Sequence, residues 1–110
     1  MTIEYFFRIE TDKTNYLKIN SILGYESKKE SAFWEVVLKN NREVDAFVES
    51  FIQKVLNSKN LLSKMGVNIP DDITFWCLYE YNNQCNLEFN SNILRKLGNN
   101  GIDLCISCWV

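Results

Sequence analysis

The sequence predicts an α+β domain, a mainly antiparallel sheet with helices packed on one face in the ferredoxin-like order β-α-β-α-β-α-β. Three observations lead there. Four segments alternate apolar and polar residues with period two, as half-buried strands require. Residues 42–65 repeat apolar residues at spacings of three and four, the mark of an amphipathic helix. Two shorter helical patterns, closed by Gly24 and Gly98, separate the first strand from the second and the third from the last. The chain of 110 residues is read as one domain, 1–110. A domain of that size buries roughly 60 to 70% of the surface its unfolded chain exposes.

The first strand is read over residues 3–10, with Ile3, Tyr5, Phe7 and Ile9 on one side and Glu4, Phe6, Arg8 and Glu10 on the other. Thr11, Asp12 and Thr14 offer N-cap oxygens, and Leu17, Ile19, Ile22 and Leu23 are the apolar positions of a short helix that Gly24 stops. Residues 25–31 read as polar loop. The second strand, residues 32–39, sets Ala32, Trp34, Val36 and Leu38 against Phe33, Glu35, Val37 and Lys39. In the long helix, Val44, Phe47, Val48, Phe51, Ile52, Val55, Leu56 and Leu62 form the apolar stripe. Asn40 with Glu43 resembles a capping box, and Gly66 supplies the stop.

Pro70, Asp71 and Asp72 mark a turn. Residues 73–81 are rich in β-branched and aromatic types, with Ile73, Phe75, Cys77 and Tyr79 on one face and Thr74, Trp76, Leu78 and Glu80 on the other. Asn82 and Asn83 turn the chain into a short extended piece, residues 86–89. Asn90 or Ser91 then caps a helix carrying Ile93, Leu94 and Leu97, ended by Gly98. Ile102, Leu104, Ile106 and Cys108 alternate in the last strand. A weak internal echo pairs the Leu23-Gly24 helix end and Trp34 strand with the Leu97-Gly98 end and Trp109 strand.

With helices on one sheet face, the other is open. By parity it shows Phe6, Arg8, Glu35 and Val37 from the first half, and Trp76, Glu80, Asp103 and Trp109 from the second. Such a contiguous aromatic and charged patch usually marks a contact surface, the alternative being that a loop or a dimer partner covers it.

Composition narrows the chemistry. Histidine is absent, which removes Ser-His and Cys-His catalysis and every His-containing metal site. Twelve basic residues against fourteen acidic ones give a net charge of -2, too little positive field for nucleic acid. The acid is concentrated: residues 65–94 carry four acidic groups and no basic one. Asp71, Asp72, Glu80 and Glu88 are those four, interleaved with Phe75, Trp76, Tyr79, Tyr81 and Phe89. Residues 1–10 lack the basic start and apolar run of a signal peptide, and no stretch approaches a membrane span. A cytoplasmic address is expected, where the four cysteines stay reduced and serve packing.

Cys105 and Cys108 form a C-x-x-C, but inside an alternating strand, where residues three apart point to opposite faces. Asp71 and Asp72 after Pro70 suit a solvated turn better than a cation site or an acid-base pair. Glu80 and Glu88 flank the Asn82-Asn83 turn with nothing to fix a catalytic separation. Phosphate-cradling glycine loops and nucleophile elbows are absent. No enzyme activity, cofactor or metal is expected.

In its order of elements the chain resembles a bacterial family catalogued as domain of unknown function 4279. The residues that carry the resemblance are the opening strand Tyr5-Phe6-Phe7-Arg8-Ile9, the Ile22-Leu23-Gly24 helix end, the Trp34 strand and the long helix. Leu87-Glu88-Phe89-Asn90 and the strand through Ile102, Leu104 and Ile106 close it. The family's Pro- and Gly-rich segment before the second strand is shortened here to residues 25–31. Small acidic proteins similar to this family look like immunity proteins, encoded beside polymorphic or contact-dependent toxins. The resemblance therefore implies stoichiometric binding to a cognate toxin, with a basic toxin domain as partner and no chemistry of the chain's own. The expected contacts are Asp71, Asp72, Trp76, Glu80, Tyr81 and Glu88, with an acidic aromatic hairpin at their centre. Nucleic acid and membrane are not expected partners, and the chain is a monomer or homodimer. The alternative is a small-ligand-binding or regulatory module that uses the open sheet face.

Overall fold

A computed structural model describes residues 2–27, 32–39, 41–84 and 86–110. Its strands are β1 (Thr2–Ile9), β2 (Trp34–Val37), β3 (Ile73–Glu80) and β4 (Asp103–Trp109). Its helices are α1 (Tyr16–Leu23), α2 (Val44–Asn57), α3 (Lys59–Lys64) and α4 (Ser91–Asn99). The strands form one sheet in the order β2-β1-β3-β4. β1 runs antiparallel to both β2 and β3, whereas β3 and β4 are parallel. The fold is thus α+β with a mixed four-stranded sheet. The ferredoxin-like expectation goes no further than that, because α1 joins antiparallel neighbours while α4 joins parallel ones. The internal echo holds for the order strand, helix, strand in β1-α1-β2 and β3-α4-β4 but not for the pairing, and Trp34 is fully buried while Trp109 is 44% exposed.

Period-two alternation in β1 and β3 leaves one face of each strand in the core. Phe7, Ile9, Phe75 and Cys77 are fully buried there, together with Trp34 of β2. The helices cover this face: Ile19 and Leu23 of α1, Phe51 and Val55 of α2, Leu62 of α3, and Ile93 and Leu97 of α4 join the same cluster. Phe51 stacks on Phe7 with ring centroids 3.9 Å apart. Phe7 also meets Phe75 at 4.8 Å. Each such ring contributes about 1.5–3 kcal/mol through burial, so this aromatic stack anchors α2 to the sheet centre.

Several boundaries differ from the sequence reading, and β2 covers only Trp34–Val37 of the expected residues 32–39. The long helix is interrupted at Ser58, whose backbone (φ -113, ψ 15) leaves the helical region. Apolar residues recur regularly up to Val55, but the run 57–60 holds none, and a new segment then turns Leu62 into the core. Glu43 precedes α2 without a side-chain cap bond, and Asn40 lies outside the described residues. Gly98 sits inside α4, and the left-handed residue after that helix is Gly101 (φ +66). Two expected signals do operate: Gly24 ends α1 at φ +75, and the Asn90 side chain accepts the Ile93 N–H at 2.9 Å to cap α4.

Candidate functional site

The helix-free sheet face follows from register. Arg8 lies opposite Glu35 on β2 and Thr74 on β3, and Phe6 lies between Val37 and Trp76. Trp76 in turn neighbours Cys105, Thr74 neighbours Asp103, and Glu80 neighbours Trp109 on β4. All eight residues that parity assigned to this face are on it. Parity applies equally to Glu4 and Leu78, paired across β1 and β3, which the sequence reading left out of the patch.

At its centre, Phe6 and Trp76 are parallel with centroids 6.1 Å apart, an offset stack. The Arg8 guanidinium lies 4.7 Å from the Trp76 ring centre, 4.0 Å from Phe33 and 5.6 Å from Phe6. It is held there by Glu35, whose Oε2 accepts from both Arg8 Nε and Nη2 at 2.8 Å. Phe6 is consequently only 4% exposed although it stands outside the core that the helices cover. Trp76 Nε1 donates to Thr74 Oγ1 at 2.9 Å, which fixes the indole across the strand. Around this floor stand four carboxylates, Glu4, Glu35, Glu80 and Asp103, with Arg8 as the one cation of the paired strand residues, already neutralised by Glu35. The face is acidic at its margin and aromatic at its centre.

The six expected contact residues do not share one place. Trp76 and Glu80 are on the open face, whereas Tyr81, just past β3, donates its N–H to the Trp109 carbonyl and stacks its ring on Tyr79 of the helix-covered face. Asp71 and Asp72 belong to the turn before β3. Asp72 Oδ2 accepts the Asn68 N–H at 2.7 Å and its carbonyl accepts the Glu10 N–H, so this carboxylate holds the turn. At about 3.3 Å per residue, the eight steps from Asp72 to Glu80 span roughly 26 Å, so the turn and Glu80 stand at opposite ends of β3. Glu88 lies with the helices instead, lining a cleft of about 430 Å³ with Arg42, Asp45 and Asn90. Its neighbour Phe89 meets Tyr5 edge-on at 6.3 Å, on the core side of the sheet. Residues 86–89 form no strand, so the expected acidic hairpin is not formed by these residues.

Cys105 pairs in register with Trp76 on the open face and Cys108 with Tyr79 on the other, so the two C-x-x-C side chains diverge. Cys77 is buried, and Cys85 lies outside the described residues. Among the described residues, no cluster of three or more His, Cys, Asp or Glu could hold a metal ion. Nor, among them, is any helix long and apolar enough to cross a membrane. Comparison with protein-family models, with curated proteins and with solved structures finds no match.

Proposed function

We propose that the protein is a stoichiometric inhibitor of a basic protein, of the immunity type that the family resemblance suggests, and that it binds through the helix-free sheet face. The observation that carries this reading is the three carboxylates Glu4, Glu80 and Asp103 that stand around the Phe6–Trp76 stack beside the Arg8–Glu35 pair. Trp76, half-buried and held from beneath by Phe6, is the aromatic anchor inside a polar rim, and an acidic margin steers a basic partner. Beside the Arg8–Glu35 pair, the acid gathers by sheet pairing from β1, β3 and β4, so the binding surface extends beyond residues 65–94. Such a role asks no catalysis of the chain.

The test is co-expression with the product of the adjacent gene, followed by size-exclusion chromatography and growth rescue. A stable complex with relieved toxicity is expected, and the Glu4→Lys/Glu80→Lys double variant weakens it while remaining folded. A lone peak with no toxicity to relieve overturns the reading. A small-ligand or regulatory module is the second reading, and one feature favours it. A groove of about 680 Å³ beside β2 combines apolar walls from Tyr25, Val36 and Phe47 with the charges of Glu26 and Lys39. A metabolite that raises the melting temperature of the isolated protein, and loses that effect in Phe47→Ala, would favour it.

A further inference from the structure

The two edges of the sheet are treated differently by the chain. β2 is four residues long, and its Leu38 end bonds inward, with the Leu38 N–H donating to the Tyr5 carbonyl. By alternation Glu35 directs its N–H outward, and Ser27 Oγ accepts it at 3.1 Å. This edge is short and covered at its middle, two of the devices that keep sheets from pairing edge to edge.

β4, at the opposite edge, has seven residues, with Asp103 as its one charge and neither lysine nor proline. The Trp109 carbonyl accepts the Tyr81 N–H at 3.0 Å, so Trp109 and every second residue before it direct their backbone groups at β3. Leu104 and Ile106 therefore point their N–H and C=O groups off the sheet. Among the described residues no strand pairs with that side. Ile106, the middle residue of β4, is also 47% exposed through its side chain.

We propose that β4 pairs with β4 of a second copy of this chain, antiparallel about a two-fold axis at Ile106, to make one continuous eight-stranded sheet. The strand is self-complementary in that register. Ile106 meets the second copy's Ile106, with the N–H of each donating to the carbonyl of the other. Cys105 lies opposite Ser107 and Asp103 opposite Trp109, so no two like charges face each other across the join. A heterologous strand has no such requirement to match, whereas symmetric pairing uses only features that β4 already has. The two-fold stands perpendicular to the sheet, because opposed residues share a face. Both helix layers then lie on one side and both acidic faces on the other. The inference is independent of the toxin-inhibitor reading and stands or falls separately from it.

Sedimentation of the whole chain over a wide concentration range tests it. The weight-average mass rises from the 12.9 kDa of one chain toward twice that value. Ile106→Pro removes an N–H that β3 does not use, and Ile106→Lys sets two ammonium groups against each other at the axis. Each weakens the dimer by at least about tenfold while the near-ultraviolet circular dichroism is unchanged. Should Ile106→Pro fail to fold, Ile106→Lys alone decides, because its side chain is already half in solvent. A wild-type chain that stays monomeric at every concentration overturns the proposal, and so does a dimer that persists in folded Ile106→Lys.

Discussion

The Arg8 guanidinium is clamped between Glu35, which accepts two of its N–H groups at 2.8 Å, and the Phe33 and Trp76 rings, 4.0 Å and 4.7 Å from its centre. The pair is largely withdrawn from solvent, with the two side chains 24% and 22% exposed, so it is screened less than a surface ion pair. Arg8→Ala is expected to cost about 1–2 kcal/mol, lost from charge-assisted hydrogen bonds and cation–π contact together. Arg8→Lys recovers little of it, since an ammonium group cannot stack flat on Phe33 while bonding Glu35. Urea unfolding of the two variants checks this, and an Arg8→Lys protein as stable as the parent would refute the planar clamp.

A second relationship ties the core to the α1–β2 connection. Trp34 is fully buried, and its Nε1 donates to Asn20 Oδ1 at 2.8 Å; the same oxygen accepts the Ser27 N–H at 3.2 Å. Asn20→Leu leaves both donors without that acceptor and is expected to destabilise the fold by about 1–3 kcal/mol. In the Asn20→Leu/Trp34→Phe double variant the indole donor is gone, so the combined loss should fall short of the sum of the single losses. Additive losses in chemical denaturation would show that this hydrogen bond contributes nothing.

How much of this was legible depends on the range of the interaction. Strand faces were readable because each of β1 and β3 has one side in the core, and parity then placed Phe6, Arg8, Trp76 and Glu80 together. The Asn90 cap was readable for a similar reason, since its side chain acts on a group three residues away. Which strands are neighbours is encoded in no local period. Counting charge along the chain singled out residues 65–94, whereas the acidic face draws Glu4, Glu35 and Asp103 from outside that segment. Glu88 was misplaced for the converse reason: close to Glu80 in sequence, it is carried to the helix side by residues 81–90. The stop after α4 falls at Gly101 rather than at Gly98, the glycine that follows Leu97. What distinguishes Gly101 is its positive φ, +66, together with the approach of Pro70.

That approach makes a third prediction. Gly24 and Gly101 both have positive φ, +75 and +66, where an added Cβ costs about 1 kcal/mol. At Gly24 the new atom would meet nothing within 4 Å, whereas at Gly101 it would lie 2.9 Å from the Pro70 ring. Gly101→Ala should therefore lower the melting temperature clearly more than Gly24→Ala. Equal shifts in calorimetry would mean that the Pro70 turn gives way without cost.

Two buried phenols are expected to weaken the fold at alkaline pH. Burial pushes the Tyr5 hydroxyl above its ordinary pKa of 10.0, with a smaller contribution from the neighbouring Cys77. Burial likewise raises Tyr16, with Glu35 adding to it. Both groups are harder to ionise folded than unfolded, so the folded chain holds its protons while the unfolded chain releases them. Stability is then fully present below about pH 10 and falls as pH climbs through and beyond that value. Replacing either tyrosine by phenylalanine removes a proton that only the unfolded chain would lose, and the alkaline decline should become shallower. The check is the urea midpoint measured from neutral pH upward in the parent, Tyr5→Phe, Tyr16→Phe and the double variant. If the double variant loses stability above pH 10 as steeply as the parent, the buried phenols do not cause that loss.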